Sequence, residues 1–461
     1  MSVRGAFAVP HPPLIIPEIG KGEEKKIQST VDAYVEVSKE AAALKPDILV
    51  IISPHSAMYA DYIHISPGLG AKGNFGQFGA PQVKFSVQYD EEFAVALANC
   101  AAYEKIPAGF LGEKEPKLDH GTMVPWYFLQ KQTGDTPIVR IGISGLSYQM
   151  HYRMGMCIQK TAKELKKRVV IVASGDLSHK LTEEGPYGFT PEGPVFDQKI
   201  AQAFEMSDFM TLLKMPPDFC DAAAECGLRS FIMMAGAFDG LDVKSKLLSY
   251  EGPFGVGYAV ASFYPDGSDE ERHLLKRFLQ EQKEEQKRRK AAEDEYVRLA
   301  RASLEYYIQT GSFLKIPEEI SAALLKQRAG AFVSLKKDGK LRGCIGTVFP
   351  MQENVAEEII RNAVSAGTED YRFDRVTEEE LPELVYSVDI LGAPEPVLGM
   401  DALDAKKYGV IVSSGARRGL LLPDLAGVDT PEKQVEIALQ KAGIGKTETY
   451  SMERFEVVRH K

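Results

Sequence analysis

Hydrophobic and polar positions follow two patterns in residues 1–265. Continuous β-branched apolar runs at 47–53, 136–145 and 169–175 are typical of inner strands in a sheet covered on both faces. Between these runs, helical spacing of apolar residues predicts helices at 23–45 and 150–168. Strands that alternate with helices predict an α/β domain with a largely inner-strand sheet flanked by helices.

The pattern changes after residue 265. From 265 to 311, both signs of charge interleave around sparse apolar positions, which predicts one or two solvated helices between domains. Beyond it, alternating residues around an Asp-Gly turn predict a hairpin at 331–348. Further strands are predicted at 382–392 and 408–423, and helices at 354–367 and 431–443. These signals indicate an α+β domain with mainly antiparallel strands.

We therefore predict three segments along the chain. The first domain covers 1–266, a charged helical linker covers 267–295, and the second domain covers 296–461.

Composition narrows the class of protein. The chain has 461 residues, of which 44% are hydrophobic and 26% charged, as in globular proteins of two or three domains. A net charge of −10 argues against general nucleic-acid binding, because phosphate contacts need a positive surface. No apolar run is long enough to span a membrane, and the N-terminus does not resemble a signal peptide. Five cysteines without a CxxC pair favour reduced thiols and a cytoplasmic location.

Four histidines occupy loop positions in the first domain. His55 and His179 follow directly on predicted inner strands, and His11 follows the short strand candidate GAFAVP. His120 stands in an Asp-His-Gly sequence before a predicted helix. Because open α/β sheets bind ligands beyond the carboxyl ends of their strands, these histidines predict a site there. His64 and His151 lie within a strand pattern and a helix pattern, so we interpret them as structural.

A third metal ligand is offered by the sequence AECGLRS. Glu225 would complete a set of two imidazoles and one carboxylate, which leaves positions open on Fe(II) for dioxygen and a chelating substrate. The adjacent Cys226 would instead favour a softer metal such as zinc or copper. The residue types alone leave both ligands open.

Four motifs in the first domain resemble a known family. VPHPP with His11, ISPH with His55, LDHGTMVP with His120 and SGDLSH with His179 resemble the LigB-type class III extradiol dioxygenases and the related Memo family. The resemblance implies His11, His55 and Glu225 as iron ligands, His179 as the acid–base residue and His120 as a donor to substrate or dioxygen. It implies cleavage of a catechol-type ring beside its two hydroxyl groups. Memo members have Cys-Gly at the third ligand, and we favour Glu225 because a carboxylate completes the iron triad.

The second domain resembles the AMMECR family. The resemblance rests on the motifs LRGCIGT (341–347), EDYRF (369–373), YGVIV (408–412) and RRGLLLP (417–423). A fusion of the two domains resembles the protein A family of the AmmeMemoRadiSam system, which implies a radical SAM protein as partner. Within the second domain, Arg342, Cys344 and Arg372 are candidates for a binding cleft. The alternative is a buried, unreactive Cys344, since no neighbouring histidine is available to activate it.

Three functions remain open at this point. The first is a non-haem Fe(II) dioxygenase that acts on a catechol-type or similarly chelating small molecule. The second is a Memo-like metal-binding module that serves a radical SAM partner without ring cleavage. The third is a metal-dependent hydrolase that uses the same site to activate water. The sequence leaves the oligomeric state open.

Overall fold

The computed structural model describes residues 2–114, 117–337, 339–425, 427–445 and 447–461. The chain forms two compact units, Met1–Glu281 and Gln282–Lys461. The boundary between the units falls within the long charged helix Leu274–Ala292, inside the predicted linker.

The first unit contains ten strands and nine complete α-helices among its described residues. The strands are β1 (Val3–Val9), β2 (Ile48–Ser53), β3 (Ile63–His64), β4 (Gly70–Phe75), β5 (Ala80–Gln88), β6 (Ala108–Gly109), β7 (Ile138–Gly142), β8 (Val169–Ser174), β9 (Leu241–Glu251) and β10 (Tyr258–Ser268). The helices are α1 (Pro17–Gly20), α2 (Gln28–Ala43), α3 (Glu91–Tyr103), α4 (His120–Thr133), α5 (Tyr148–Glu164), α6 (Glu192–Met206), α7 (Phe209–Leu213), α8 (Pro217–Ala223) and α9 (Leu228–Gly236). The helix Leu274–Ala292 is α10.

Six strands form the main sheet of this unit, in the order β7-β2-β8-β1-β10-β9. The first four run parallel, whereas β10 and β9 are antiparallel additions at one side. Every residue of β2, β7 and β8 is buried, and separate apolar cores fill the two faces of the sheet. The predicted α/β fold with inner strands is confirmed.

Helices α5 and α9 cross at very short distance on one face of the sheet. Gly155 of α5 and Gly236 of α9 permit this approach, because a Cβ at Gly155 would overlap the Met233 carbonyl oxygen and one at Gly236 the Tyr152 carbonyl oxygen. The crossing fixes α9, whose N-terminus follows the AECG sequence.

We predict that Gly155→Val lowers the free energy of unfolding of the first unit by about 3 kcal/mol, since an overpacked backbone contact must open. Urea denaturation followed by circular dichroism measures this loss. Ala102→Val, at an exposed position of α3, is the control and should cost about 0.5 kcal/mol. Equal losses in both variants would contradict the role assigned to this crossing.

The second unit contains the helices α11 (Glu295–Thr310), α12 (Ala322–Lys326), α13 (Val355–Thr368) and α14 (Pro431–Ala442). Its strands are β11 (Ala331–Lys337), β12 (Lys340–Gly346), β13 (Val385–Leu391), β14 (Glu395–Val397), β15 (Tyr408–Ser414), β16 (Arg417–Leu421) and β17 (Ser451–His460). The sheet order is β12-β11-β13-β17-β15-β16, with β14 also paired to β17.

All strand pairs of this second sheet are antiparallel, so the predicted α+β domain is confirmed. The predicted hairpin corresponds to β11 and β12, although Asp338 of its turn lies outside the described residues. One apolar core lies between β11, β13, α11 and α13, and another lies between α14, β15 and β16. Across the described parts of both units, no helix has the length and apolar character needed to cross a membrane.

Candidate metal centre

The carboxyl ends of three parallel strands converge at one edge of the first sheet. Strand β8 lies between β2 and β1, so the loops that follow these strands are neighbours. His11 lies just beyond β1, His55 just beyond β2, and Asp176 just beyond β8. The sheet therefore brings together loop residues that are far apart in sequence, as open α/β sheets do at their binding sites.

His11, His55 and Cys226 form the one group in the described chain that offers a compact set of three metal-ligand atoms. These atoms all lie within 4.8 Å of one another. The Nε2 atoms of the two histidines are 2.9 Å apart, and Cys226 Sγ lies 3.7 Å from His11 Nε2. His11 is buried, Cys226 is half-buried and His55 is partly open to solvent, so the group is open on one side.

Two glycines allow Cys226 to reach the histidines. A Cβ at Gly175 would overlap the Cα of Gly227, so the loop after β8 and the turn before α9 touch backbone to backbone. Within this contact, the Gly227 N–H donates to the Asp176 carbonyl oxygen at 3.1 Å, and the Asp176 N–H donates to Cys226 Sγ at 3.3 Å. These bonds hold the thiol beside His11.

Glu225 has a different position from the one predicted for a third ligand. Its Oε2 accepts a hydrogen bond from the Leu228 N–H at 2.6 Å, at the first residue of α9. Burial raises the pKa of this carboxyl to about 7. The sequence favours Glu225 over Cys226, whereas the structure places Cys226 against the histidines, and the Glu225 carboxylate accepts the N–H of the first residue of α9.

The orientation of His11 is set from two sides. Its backbone N–H donates to Asp176 Oδ1 at 2.7 Å, and its ring Nδ1 lies 3.0 Å from Ser174 Oγ. The ring therefore presents Nε2 to His55 and Cys226. Burial, followed by the charge of His55, lowers the pKa of His11 well below its usual range. Burial also raises the pKa of Asp176 to about 7.

A second set of bonds positions His55 and His120. Asp119 caps α4 by accepting the Thr122 N–H at 2.9 Å, and it also accepts the Ser53 hydroxyl at 2.5 Å. Asp119 thus ties the start of α4 to the end of β2. Gly121 is required here, since a Cβ would collide with Ser53 Oγ.

His120 lies over the metal-ligand group as the first residue of α4. Its ring centroid is 4.0 Å from that of His55 and 5.4 Å from that of His11, and Phe78 packs edge-on against it at 5.5 Å. Burial lowers the pKa of His120, and burial with the neighbouring His120 lowers the pKa of His55 to about 4. These rings are therefore neutral at pH 7, the state in which imidazole nitrogen binds a cation.

His179 completes the group from the loop after β8. Its Nδ1 lies 2.6 Å from the Ala224 carbonyl oxygen, which requires Nδ1 to carry the proton and donate. Its Nε2 is therefore the unprotonated nitrogen. Burial lowers the pKa of His179, and Tyr187 packs edge-on against the ring at 5.3 Å. Ser178 anchors the loop by donating its N–H to Asp197 Oδ1 at 2.8 Å.

The donor set fits a transition-metal ion. The Nε2 atoms of His11 and His55, 2.9 Å apart, are close enough to share a proton or to bind one cation together. A thiol on the same open side supplies a third donor, and zinc, copper and iron are bound by such nitrogen–sulfur sets. His11, His55 and Cys226 would hold the ion, with His120 and His179 beside it.

The two histidines interpreted as structural have internal partners. His64 in β3 is buried, and its Nε2 lies 2.9 Å from the Glu113 carbonyl oxygen. His151 in α5 is buried, and its Nε2 accepts the Ser144 N–H at 3.1 Å. Both are thus bonded within the fold.

The three residues predicted to form a cleft in the second unit separate into two groups. Arg342 forms two bonds of 2.9 Å to the carboxylate of Glu380. Cys344 and Arg372 instead meet at Asp370, which accepts the Cys344 N–H at 2.9 Å and pairs with the Arg372 guanidinium. The structure therefore joins Cys344 to Arg372 but gives Arg342 a separate ion pair.

The fold places a candidate metal site in an α/β unit, which an α+β unit follows along the chain. Residues 5–261 match the family described as the catalytic LigB subunit of aromatic ring-opening dioxygenase, and residues 297–460 match AMMECR1. The chain belongs to the LigB family, whose members depend on metal, and carries an AMMECR1 domain at its C-terminal side. The predicted fusion of two families is confirmed.

Relatives share one or both parts of this organisation. Protein CA_C1420 of Clostridium acetobutylicum is 42% identical over 469 residues, and 100% of both chains is covered. A protein of Thermotoga maritima is 50% identical over 171 residues, which cover 37% of this chain and 98% of the relative.

Two solved structures resemble parts of the chain. Uncharacterized protein PH0010 from Pyrococcus horikoshii is 29% identical with a TM-score of 0.34, covering 36% of this chain and 88% of its own. Uncharacterized protein JW3007 from Escherichia coli is 15% identical with a TM-score of 0.37, covering 56% of this chain and 99% of its own.

Proposed function

We propose that the first unit is a metal-dependent enzyme whose ion is held by His11, His55 and Cys226 and whose substrate is a small chelating molecule. The observation that carries this proposal is the convergence of two further imidazoles, His120 and His179, on the same three-ligand group. Structural metal sites are closed by four protein ligands, whereas catalytic sites keep a position open for a substrate. Three protein ligands with neutral imidazoles beside them therefore match a catalytic metal site.

The proposed ion is Fe(II), with zinc and copper as alternatives. Imidazole binds all three metals, and a thiolate shifts preference toward the softer ones. Dioxygen chemistry of the kind that the LigB family name describes needs a redox-active metal, which favours iron or copper over zinc. When bound, such an ion would supply Lewis acidity toward two adjacent substrate oxygens and a binding position for dioxygen.

His179 is the proposed general base and acid. Its Nδ1 proton is committed to the Ala224 carbonyl oxygen, so Nε2 can accept a proton from a substrate hydroxyl and return it later. The lowered pKa keeps the ring neutral before the substrate arrives. His120 is the proposed hydrogen-bond donor to the bound substrate or dioxygen, because its ring lies over His55 at the same opening.

Extradiol cleavage of a catechol-type ring is the specific reaction that family membership supports. We expect anaerobically purified protein loaded with Fe(II) to consume dioxygen when it receives one member of a broad catechol panel, with a ring-opened product visible by absorbance. An oxygen electrode measures the uptake, and His55→Ala is the inactive control. Absence of uptake across the panel, in protein shown to contain iron, would contradict ring cleavage.

A metal-binding module without ring cleavage is the second candidate, and the Cys226 thiol favours it. With Cys226 as the third ligand, sulfur would take the place of the carboxylate of a typical Fe(II) oxygenase triad, and this would suit metal transfer or electron transfer. In this case the proposed partner is a radical SAM protein. Affinity purification of the full chain from its native cells should then recover a radical SAM protein, and its consistent absence would count against this candidate.

A further inference from the structure

A cavity in the first unit lies at the edge of the sheet opposite the metal centre. Its volume is about 710 Å³, which is within the range of small-molecule binding sites. Ser2 and Val3 line the cavity where β1 begins, whereas His11 lies beyond the other end of that strand. Because β1 has seven residues and is therefore roughly 20 Å long, the cavity is separate from the metal-ligand group.

One face of α5 forms a wall of this cavity. Five lining residues are spaced by three or four positions along the helix, which places them on one face. They are Arg153, Met156, Cys157, Lys160 and Lys163. The crossing of α5 with α9 at Gly155 lies on a different face, so it holds this wall in place without filling the cavity.

Apolar side chains form part of the cavity surface. Leu241 is the first residue of β9, and Leu275 lies in the first turn of α10. Leu275 and Val3 belong to the apolar core of the first unit, and Leu241 and Met156 pack against that core. These four side chains offer a surface on which the carbon skeleton of a ligand can pack, as in most small-molecule sites.

Three cations on the α5 wall share a single carboxylate. The Arg153 guanidinium donates to the Glu104 carbonyl oxygen and lies 3.7 Å from its carboxylate, and Lys160 Nζ lies 3.5 Å from the same carboxylate group. Among the described residues, the Lys163 ammonium group has no ion-pair or hydrogen-bond partner. Three cations against one carboxylate leave two positive charges on this wall.

The two other carboxylates of the cavity have partners away from this wall. Asp239 is buried and accepts the Tyr152 hydroxyl at 2.8 Å and the Leu274 N–H at 3.0 Å, and it pairs with His273 Nδ1 at 2.8 Å. The Glu270 side chain is 93% exposed and lies 3.5 Å from His273 Nε2. Because water screens an exposed carboxylate, the α5 wall keeps its positive charge.

The spacing of the two lysines suits one doubly charged anion. Lys160 and Lys163 are three residues apart on the helix, so their Cβ atoms are about 5–6 Å apart and both ammonium groups can reach one ligand group. A phosphate monoester carries about −1.5 to −2 charges at pH 7 and three acceptor oxygens. Its charge therefore balances the wall, whereas a single carboxylate would leave one positive charge unpaired.

We propose that this cavity binds a small organic phosphate, with the phosphate group between Lys160 and Lys163 and the carbon skeleton on Met156, Leu241 and Leu275. Arg153 shares Glu104 with Lys160, which leaves the Lys160 charge available to the phosphate. The site is independent of the metal centre and of the function proposed for it, since it lies at the opposite edge of the sheet.

Binding of 1-naphthyl phosphate to the full-length chain tests the proposal, because this probe joins a phosphate dianion to an apolar ring system. We expect one site that binds it at least about tenfold more tightly than 1-naphthol, which lacks the phosphate, and than inorganic phosphate, which lacks the ring. Titration calorimetry at low ionic strength measures the affinities and the number of sites. The double variant Lys160→Gln/Lys163→Gln should lower the affinity for 1-naphthyl phosphate by about tenfold.

Lys39→Gln/Lys199→Gln is the matched control, since it removes two exposed lysines of other helices, α2 and α6, that do not line the cavity. It should bind 1-naphthyl phosphate as the wild type does. The proposal is overturned if the probe binds no more tightly than 1-naphthol, if inorganic phosphate binds as tightly as the probe, or if the Lys160→Gln/Lys163→Gln variant binds as well as the control.

Discussion

Cys226→Ser should lose most of its bound metal, whereas Glu225→Gln should keep it. The sulfur of Cys226 lies 3.7 Å from His11 Nε2 on the open side of the histidine pair, and the Glu225 carboxylate is engaged at the start of α9. Removing one of three ligands from an ion should weaken its affinity by at least about 100-fold. Serine keeps the size of the side chain but is a much poorer ligand for these metals.

Metal analysis of protein purified without air measures this difference. Cys220→Ser is the control, because Cys220 is a buried thiol of α8 in the same unit but does not belong to the ligand group. Glu225→Gln weakens the hydrogen bond that Glu225 accepts at the start of α9, so its thermal stability should be recorded beside its metal content. The reverse pattern, with metal lost from Glu225→Gln and kept by Cys226→Ser, would identify Glu225 as the third ligand.

His179→Ala should abolish turnover while its metal content stays near that of the wild type. The ring nitrogen that faces the site accepts and returns a proton in the proposed reaction, and loss of such a group costs about 10²–10⁴-fold in rate. His179 is not in the three-ligand group, and its Nδ1 is bonded to Ala224. The oxygen-uptake assay, run with the catechol that the wild type consumes fastest, measures this loss.

His273→Ala serves as the matched control for this substitution. His273 is a partly exposed histidine of the same unit, and its Nδ1 is bonded to Asp239. Its removal should leave both metal content and uptake unchanged. A His179→Ala protein that had lost its metal would show that His179 is a ligand, and one with undiminished uptake would exclude it as the base.

The sequence predicts much of the fold because its strongest signals are local. The apolar runs of β2, β7 and β8 are buried along their whole length, and buried strands are apolar throughout. The position of His55 after β2 and His179 after β8 then indicates a shared edge of the sheet. Parallel strands of one sheet have their carboxyl ends at the same edge, so the loops that follow β2 and β8 lie at that edge together.

The sequence does not show which residue is the third ligand, because Glu225 and Cys226 are adjacent in one turn. Which of them faces the histidines depends on the contact between Gly175 and Gly227, which are distant in sequence. A glycine in a loop, such as Gly175 or Gly227, indicates that another part of the backbone can come close. The sequence does not show which part of the chain that is.

Asp119 has two roles at the site, and only one of them can be predicted from the sequence. Asp before a predicted helix indicates an N-cap, and Asp119 does cap α4. Its second bond, to Ser53 at the end of β2, aligns His120 with His55 and follows from tertiary packing alone.

X-ray absorption at the metal edge of anaerobically purified protein tests the central claim most directly. A centre built by His11, His55 and Cys226 predicts one sulfur scatterer at about 2.3 Å beside nitrogen scatterers at about 2.0–2.1 Å, the distances typical of zinc, with comparable values for iron or copper. The sulfur signal should be absent from any residual metal in Cys226→Ser. A wild-type first shell made only of nitrogen and oxygen would contradict the account.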